Sequence, residues 1–388
     1  MSIYTSRILN TKKSFIREIL KVTQDKGIIS FAGGLPNPIS FPKIELQESV
    51  NRVITTKGDE AFQYATTEGH KGLRDWIASR YKIRHGFDVS AEDILITTGS
   101  QQALDLVGKV LINPNDIIGV EVPGYLGAIQ AFSMYEPKFV GITLNQDGLD
   151  TKELTKTLDE LPVKMMYTVP NFQNPSGITY SNENRAMVAR VMKDRETILI
   201  EDDPYGDLRF HGNDLPYISS FGLENGLIFG TISKIITPGM RIGWMCTKNK
   251  ELMSHLVTAK QASDLHTNYF AQCVIADYLE HYDLDTHIES IKDLYLKQSN
   301  AMINAMEEYF PSEVMFTKPE GGMFLWVTLP EGRNSSDLFY KALQKKVAFV
   351  PGNPFYTHEN PVRTLRLNYT NAKEDAIYEG IKRLASVL

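Results

Sequence analysis

Short β-rich runs alternate with helical stretches through the middle of the 388-residue chain, and this alternation constrains the fold more than any other feature. The runs are ILIT (94–97), DIIGVEV (116–122), KFVGITL (138–144), KMMYTV (164–169), TILIED (197–202), LIFGT (227–231) and IGWMCT (242–247). Most are almost continuously apolar, as strands covered on both faces must be. Helical stretches at 100–111, 125–134, 150–160 and 183–194 separate the earlier runs. The pattern predicts an α/β fold: a large domain with a mostly parallel seven-stranded sheet between helices. No helix fits between 227–231 and 242–247, so at least one antiparallel neighbour is expected.

Two long helical patterns follow, at 249–281 and 284–309, broken near Tyr282-Asp283. The tail mixes strands (323–329, 364–368) with helices (335–346, 372–387) and reads as a smaller α+β domain. The expected division is 41–285 for the large domain, with 1–40 and 286–388 forming the small one. A net charge of −6 gives no electrostatic case for nucleic acid or an anionic membrane. No apolar run is long enough to span a bilayer. The N-terminus, MSIYTSRILNTKK, lacks the apolar core of a signal peptide. Two cysteines are no disulfide framework and fit a reducing compartment, so a cytoplasmic protein is expected. No metal is expected.

Chemistry concentrates in TISKIITPGMRIGW (231–244), which sets Lys234 among Ile232, Ile235 and Ile236. A buried amine loses its proton easily and becomes a nucleophile for a carbonyl. Thr231, Ser233 and Arg241 are the hydroxyls and guanidinium a phosphate needs. Gly99-Ser100-Gln101 ends the run ILITTG and opens a helix; on these residues alone an ordinary serine cap is the first reading, and a phosphate on the free N–H groups the second. Asp202 ends the run TILIED and Tyr205 follows it three residues on, in the pattern Asp-x-x-Tyr. Asn174 lies in NFQNPSG, which is also plain turn chemistry. Tyr125 opens a helix, and Arg366 sits in the alternating TLRLNY, where a site or a surface position is possible.

The lysine stretch resembles the Ser-x-Ser-Lys and Pro-Gly-x-Arg-x-Gly segment of the class I/II aminotransferases, which carry pyridoxal phosphate (PLP) on the fold type I scaffold. FAGGLPNP, QYATTEGHKGLR, LITTGSQQALDLVGKV, EDDPYGDL, AKQASDLHT and KPEGGMF are similar to the 2-aminoadipate and kynurenine type. The resemblance implies that Lys234 forms a Schiff base with PLP and moves the proton, in a ping-pong cycle. It implies that Gly99, Ser100, Gln101, Thr231, Ser233 and Arg241 take the phosphate, and that Tyr125 stacks on the ring. Asp202 would pair with the ring nitrogen, with Tyr205 and Asn174 at the phenolate oxygen. Tyr64 would cross to the phosphate of a neighbouring subunit, which makes a homodimer with shared sites the expected assembly. Arg366, Asn174 and Gly34 would meet the substrate, and Arg17 with Ser14 on the same helical face would meet acidic side chains. Arg17 is equally an ordinary amphipathic-helix residue. The implied activity transfers an amino group from an L-amino acid to a 2-oxo acid. Two rivals share the scaffold: a ligand-sensing regulator module, for which no DNA-reading segment is expected here, and a PLP lyase or decarboxylase.

Overall fold

The computed structural model describes residues 3–11, 19, 27–357 and 362–388. All seven expected strands fall in one sheet. From one edge the order is Ile94–Thr97, Gly243–Cys246, Gly226–Thr231, Ile198–Asp202, Val163–Thr168, Ile117–Val122 and Lys138–Asn145. An eighth strand, the two-residue Gly148–Leu149, folds back antiparallel on that last edge. So short a segment leaves no periodic signal in a sequence. Gly243–Cys246 runs antiparallel to both its neighbours, as the missing helix requires. The other neighbours pair in parallel. Four strands at the start of that order are buried along their whole length, which explains their unbroken apolarity.

The crossover helices start where side chains can cap them. Asp150 accepts from the N–H groups of Lys152 and Glu153, and Ser181 from that of Asn184. The stretch expected as one helix over 249–281 is two, Lys250–Gln261 and Tyr269–His281. Between them Leu265 takes a left-handed φ of 65°, and Asn268 caps the second helix by accepting from the N–H of Ala271.

Leu284–Tyr309 packs along Glu374–Ala385, with Ile288, Ile291 and Met302 buried on one and Ile377, Ile381 and Leu384 on the other. Beside them lies a four-stranded antiparallel sheet in the order Met315–Phe316, Phe324–Thr328, Thr364–Asn368, Val350–Pro351. Arg366 therefore sits on an inner strand, opposite Trp326 on one side and Val350 on the other. Ile29–Ser30 pairs with Val347–Ala348 and ties the N-terminal segment to this part of the chain. The parallel strands of the large sheet end on one side, where ligands of open α/β sheets bind.

Candidate active site

A cavity of about 340 Å³ lies at those carboxyl ends. Asp202 reaches it from the end of Ile198–Asp202 and Thr231 from the end of Gly226–Thr231. Ser100 and Gln101 come from the helix that follows Ile94–Thr97, and Tyr125 from the turn after Ile117–Val122. Gly34, Asn174, Tyr205, Ser233, Lys234, Arg241 and Arg366 complete the expected set on its walls.

Lys234 follows Thr231 by one tight turn. Thr231 Oγ1 donates to the carbonyl of Ile242 (3.0 Å) and accepts from the N–H of Ser233 (3.1 Å). Lys234 Nζ donates to the carbonyl of Gly34 (3.0 Å). Ile232, Ile235 and Ile236 are buried around its backbone. Burial pushes the Lys234 amine down to about 8, and the nearby charges of Arg366 and Arg241 push the same way.

Asp202 is 2% exposed. Tyr167 donates to its Oδ2 at 2.6 Å, while Oδ1 has no partner. Burial pushes this carboxyl up to about 7; the Tyr167 bond opposes the shift, and the charges of Asp203 and Glu121 add to it. A buried carboxylate with a free oxygen calls for a cationic or N–H partner.

Arg366 is 1% exposed. Its Nη1 donates to Asn174 Oδ1 (2.8 Å) and its Nη2 to the carbonyl of Ala32 (2.7 Å), leaving Nε unpartnered. The guanidinium lies 4.3 Å from the ring centre of Phe324 and 5.3 Å from that of Phe355. Burial lowers it to about 10. Among the described residues no acidic side chain pairs with Arg366, Arg241 or Lys234. Arg366 is the buried one of the three, Lys234 is half-buried and Arg241 is exposed at the mouth. A buried charge is ordinarily paired, so the cavity is short of an anion at Arg366 and presents two further cations to a ligand.

At the opposite wall Gly99 takes a left-handed φ of 71° just before Ser100–Leu111. That φ favours glycine, and a side chain there would also displace Arg241 Nη2, which stands 2.4 Å from where its Cβ would be. Gly99 itself stands behind Arg241 and does not line the cavity. The N-terminal amides of Ser100 and Gln101 with the Arg241 fork make an anion cradle. Tyr125 precedes its helix with the phenol pushed up to about 12 by burial. Tyr205 is buried and meets Phe324 edge-on at 5.8 Å; burial raises its phenol and the neighbouring Asn174 opposes that.

Tyr64 is 80% exposed, edge-on to His266 at 5.9 Å, and does not line the cavity of its own chain. Ser14 and Arg17 lie outside the described residues. Several cavity residues have no counterpart in the sequence reading: Leu35, Leu104, Val169, Pro204 and Pro238 on the walls, and Tyr167 behind Asp202. The loop that carries Asn174 is held from beneath. Gln173 Nε2 donates to buried Glu121 (2.9 Å) and to the carbonyl of Pro123 (2.7 Å). Arg185, fully buried, donates to the carbonyl of Pro170 (2.9 Å) and to Asn171 Oδ1 (2.6 Å). No motif flags these residues; only the register of neighbouring strands brings them together.

The residues present fit PLP. A proton-poor amine faces the cavity for the aldehyde, Asp202 Oδ1 is free for the ring nitrogen, and the cradle with Arg241 is open to the phosphate. The wider groove of about 750 Å³ near Phe87 and Lys248 has no unpartnered buried polar atom among its described lining residues.

Comparison with known proteins agrees. The class I and II aminotransferase family model matches residues 38–384. The chain is 43% identical to aromatic-amino-acid aminotransferase 1 of Thermococcus litoralis, over 99% of this chain and 94% of that protein. It is 38% identical to the 2-aminoadipate transaminase of Thermus thermophilus, over 97% of this chain and 94% of that protein. The crystal structure of Pyrococcus horikoshii kynurenine aminotransferase in complex with PMP superposes with a TM-score of 0.95 at 42% identity, covering 99% of this chain and 96% of that one. The chain belongs to the class I and II aminotransferases. It is a PLP-dependent transaminase of fold type I, and these near end-to-end matches favour transamination over the regulator and lyase readings.

Proposed function

We propose that this transaminase accepts a broad set of L-amino acids, 2-aminoadipate or glutamate together with aromatic or long aliphatic ones, and passes the amino group to 2-oxoglutarate. The observation that carries the site assignment is the charge imbalance of one cavity: Lys234, Arg241 and Arg366 without acidic partners, against one carboxylate with a free oxygen. A phosphate and an α-carboxylate supply the missing anions. The named activities of the relatives, on aromatic amino acids and 2-aminoadipate, support the donor range. Apolar Leu35, Leu104 and Val169 line the same cavity as Arg366 and suit a side chain of either kind.

In this reading Ser100, Gln101, Thr231, Ser233 and Arg241 hold the phosphate, with Gly99 giving Arg241 room. Tyr125 stacks on the ring, and Tyr205 and Asn174 face its phenolate oxygen. Arg366, anchored by Asn174, clamps the substrate carboxylate, and Gly34 meets the substrate from the same cavity wall. When bound, PLP draws the electrons of the substrate's broken Cα–H bond into its protonated ring. Asp202 keeps the ring nitrogen protonated. Lys234 Nζ takes the Cα proton and returns it one half-reaction at a time. The same reading divides the chain at 41–285 and joins 1–40 to 286–388, which the pairing of Ile29–Ser30 with Val347–Ala348 supports.

The experiment is a panel of L-amino acids with PLP and 2-oxoglutarate, reading glutamate formation. Turnover confined to one donor class would refute the breadth, and no turnover on any donor would refute the reading. Arg17, which the resemblance places at acidic side chains, gives a sharper test. Arg17→Ala should lower kcat/KM for 2-aminoadipate by about 10–100-fold, the loss of a charged hydrogen bond of ~1.5–3 kcal/mol, and leave leucine or phenylalanine nearly unchanged. An equal loss on both donor types would make Arg17 structural.

A homodimer completes the proposal. Ile44, Ile54, Phe62 and Tyr64 are large and exposed on or just after the helix Lys43–Ala61, as on a face awaiting a partner. Tyr64 would serve the partner's phosphate. Sedimentation of the active protein should give a dimer; a fully active monomer would exclude shared sites. A cytoplasmic location is part of the same reading, supported by two buried free cysteines. No helix of the described residues is long and apolar enough to cross a membrane.

A further inference from the structure

Lys260 is fully buried although it lines no part of the cavity. Its three ammonium protons meet three acceptors: Gln102 Oε1 (2.8 Å), Asp264 Oδ1 (2.9 Å) and Thr267 Oγ1 (3.0 Å). Asp264 Oδ2 in turn accepts from Gln102 Nε2 (2.6 Å) and from Thr98 Oγ1 (3.3 Å). Gln102 Oε1 also accepts the backbone N–H of Thr98 (2.8 Å). The result is a closed polar ring that grips Thr98 by both its backbone and its side chain. Thr98 immediately precedes Gly99 and the Ser100–Gln101 cradle, and its carbonyl accepts from Arg241 Nη2 (3.4 Å). The helix Lys250–Gln261 stops where Asp264 turns back to Lys260, so the ring also accounts for the break in that helical stretch.

We propose that this ring, centred on Lys260 and Asp264, is a positioning device: it fixes Thr98 and Gly99 from behind and so sets the affinity for the cofactor's phosphate without touching it. The inference rests on the reading of Ser100, Gln101 and Arg241 as the phosphate cradle. A binding loop already held in its bound shape forfeits less entropy when the ligand arrives. Loosening the ring therefore weakens the phosphate end of the ligand selectively.

Pyridoxal, which is PLP without the phosphate, separates the cases. Full-length protein stripped of cofactor is titrated by absorbance with PLP and with pyridoxal. Lys260→Met should raise the PLP Kd by about tenfold or more, equivalent to about 1.4 kcal/mol, with the pyridoxal Kd little changed. Asp264→Asn, which keeps the side-chain shape, should act in the same direction and covers the case in which Lys260→Met does not fold. An unchanged PLP Kd in both variants, or equal weakening of both ligands, overturns the brace. A wild-type protein that binds the two ligands equally well overturns the cradle reading and the brace with it.

Discussion

Lys234→Ala should hold no covalent cofactor and should lose turnover by roughly 10⁴-fold or more, because one side chain supplies both the nucleophile and the proton carrier. The cavity prepares Lys234 for both roles. With its amine pushed down to about 8, about one molecule in ten carries a neutral lysine at pH 7, against about one in a few thousand for an ordinary lysine. Burial is the main cause, and the unpaired Arg366 and Arg241 add to it. Those same cations would be neutralised by phosphate and carboxylate, so the amine's proton affinity should rise as ligands bind. Turnover of Lys234→Ala is read by glutamate formation at saturating PLP. Activity within tenfold of wild type would remove Lys234 from the chemistry.

Asp202→Asn should keep the cofactor but lower kcat by roughly 10²–10³-fold, about 3–4 kcal/mol, the scale of one preorganised electrostatic contact. The substitution preserves the shape and leaves a partner for the Tyr167 hydroxyl, so packing changes little. What disappears is the charge that keeps the ring nitrogen protonated. In the cavity as it stands, burial pushes the Asp202 carboxyl up to about 7, and only a cationic partner would hold it ionised. A cofactor spectrum like wild type with kcat close to wild type would refute the assigned role.

The fold was legible because buried parallel strands need unbroken apolar runs, and all seven runs became strands of one sheet. Lys234 is legible for a related reason: three isoleucines around a lysine mark a buried turn, and the lysine it carries is half-buried and faces the cavity. Arg366 was ambiguous because alternation in TLRLNY marks a strand but not its neighbours. Pairing with Trp326 and Val350 on both sides is what buries it. The break at 262–268 was hidden because its cause, the Lys260–Asp264 pair, takes its partners from a helix more than 150 residues away. In the sequence Tyr167 is one more residue of an apolar run, since the contact with Asp202 exists only in the register of neighbouring strands. Tyr64 stays exposed on its own chain, so its proposed role belongs to the assembly.

The most direct test of the whole account is reduction of the PLP-loaded protein with borohydride, followed by peptide mass mapping. One phosphopyridoxyl adduct is expected, on the peptide that contains Lys234. An adduct confined to any other lysine, or none at all with PLP bound, would contradict it.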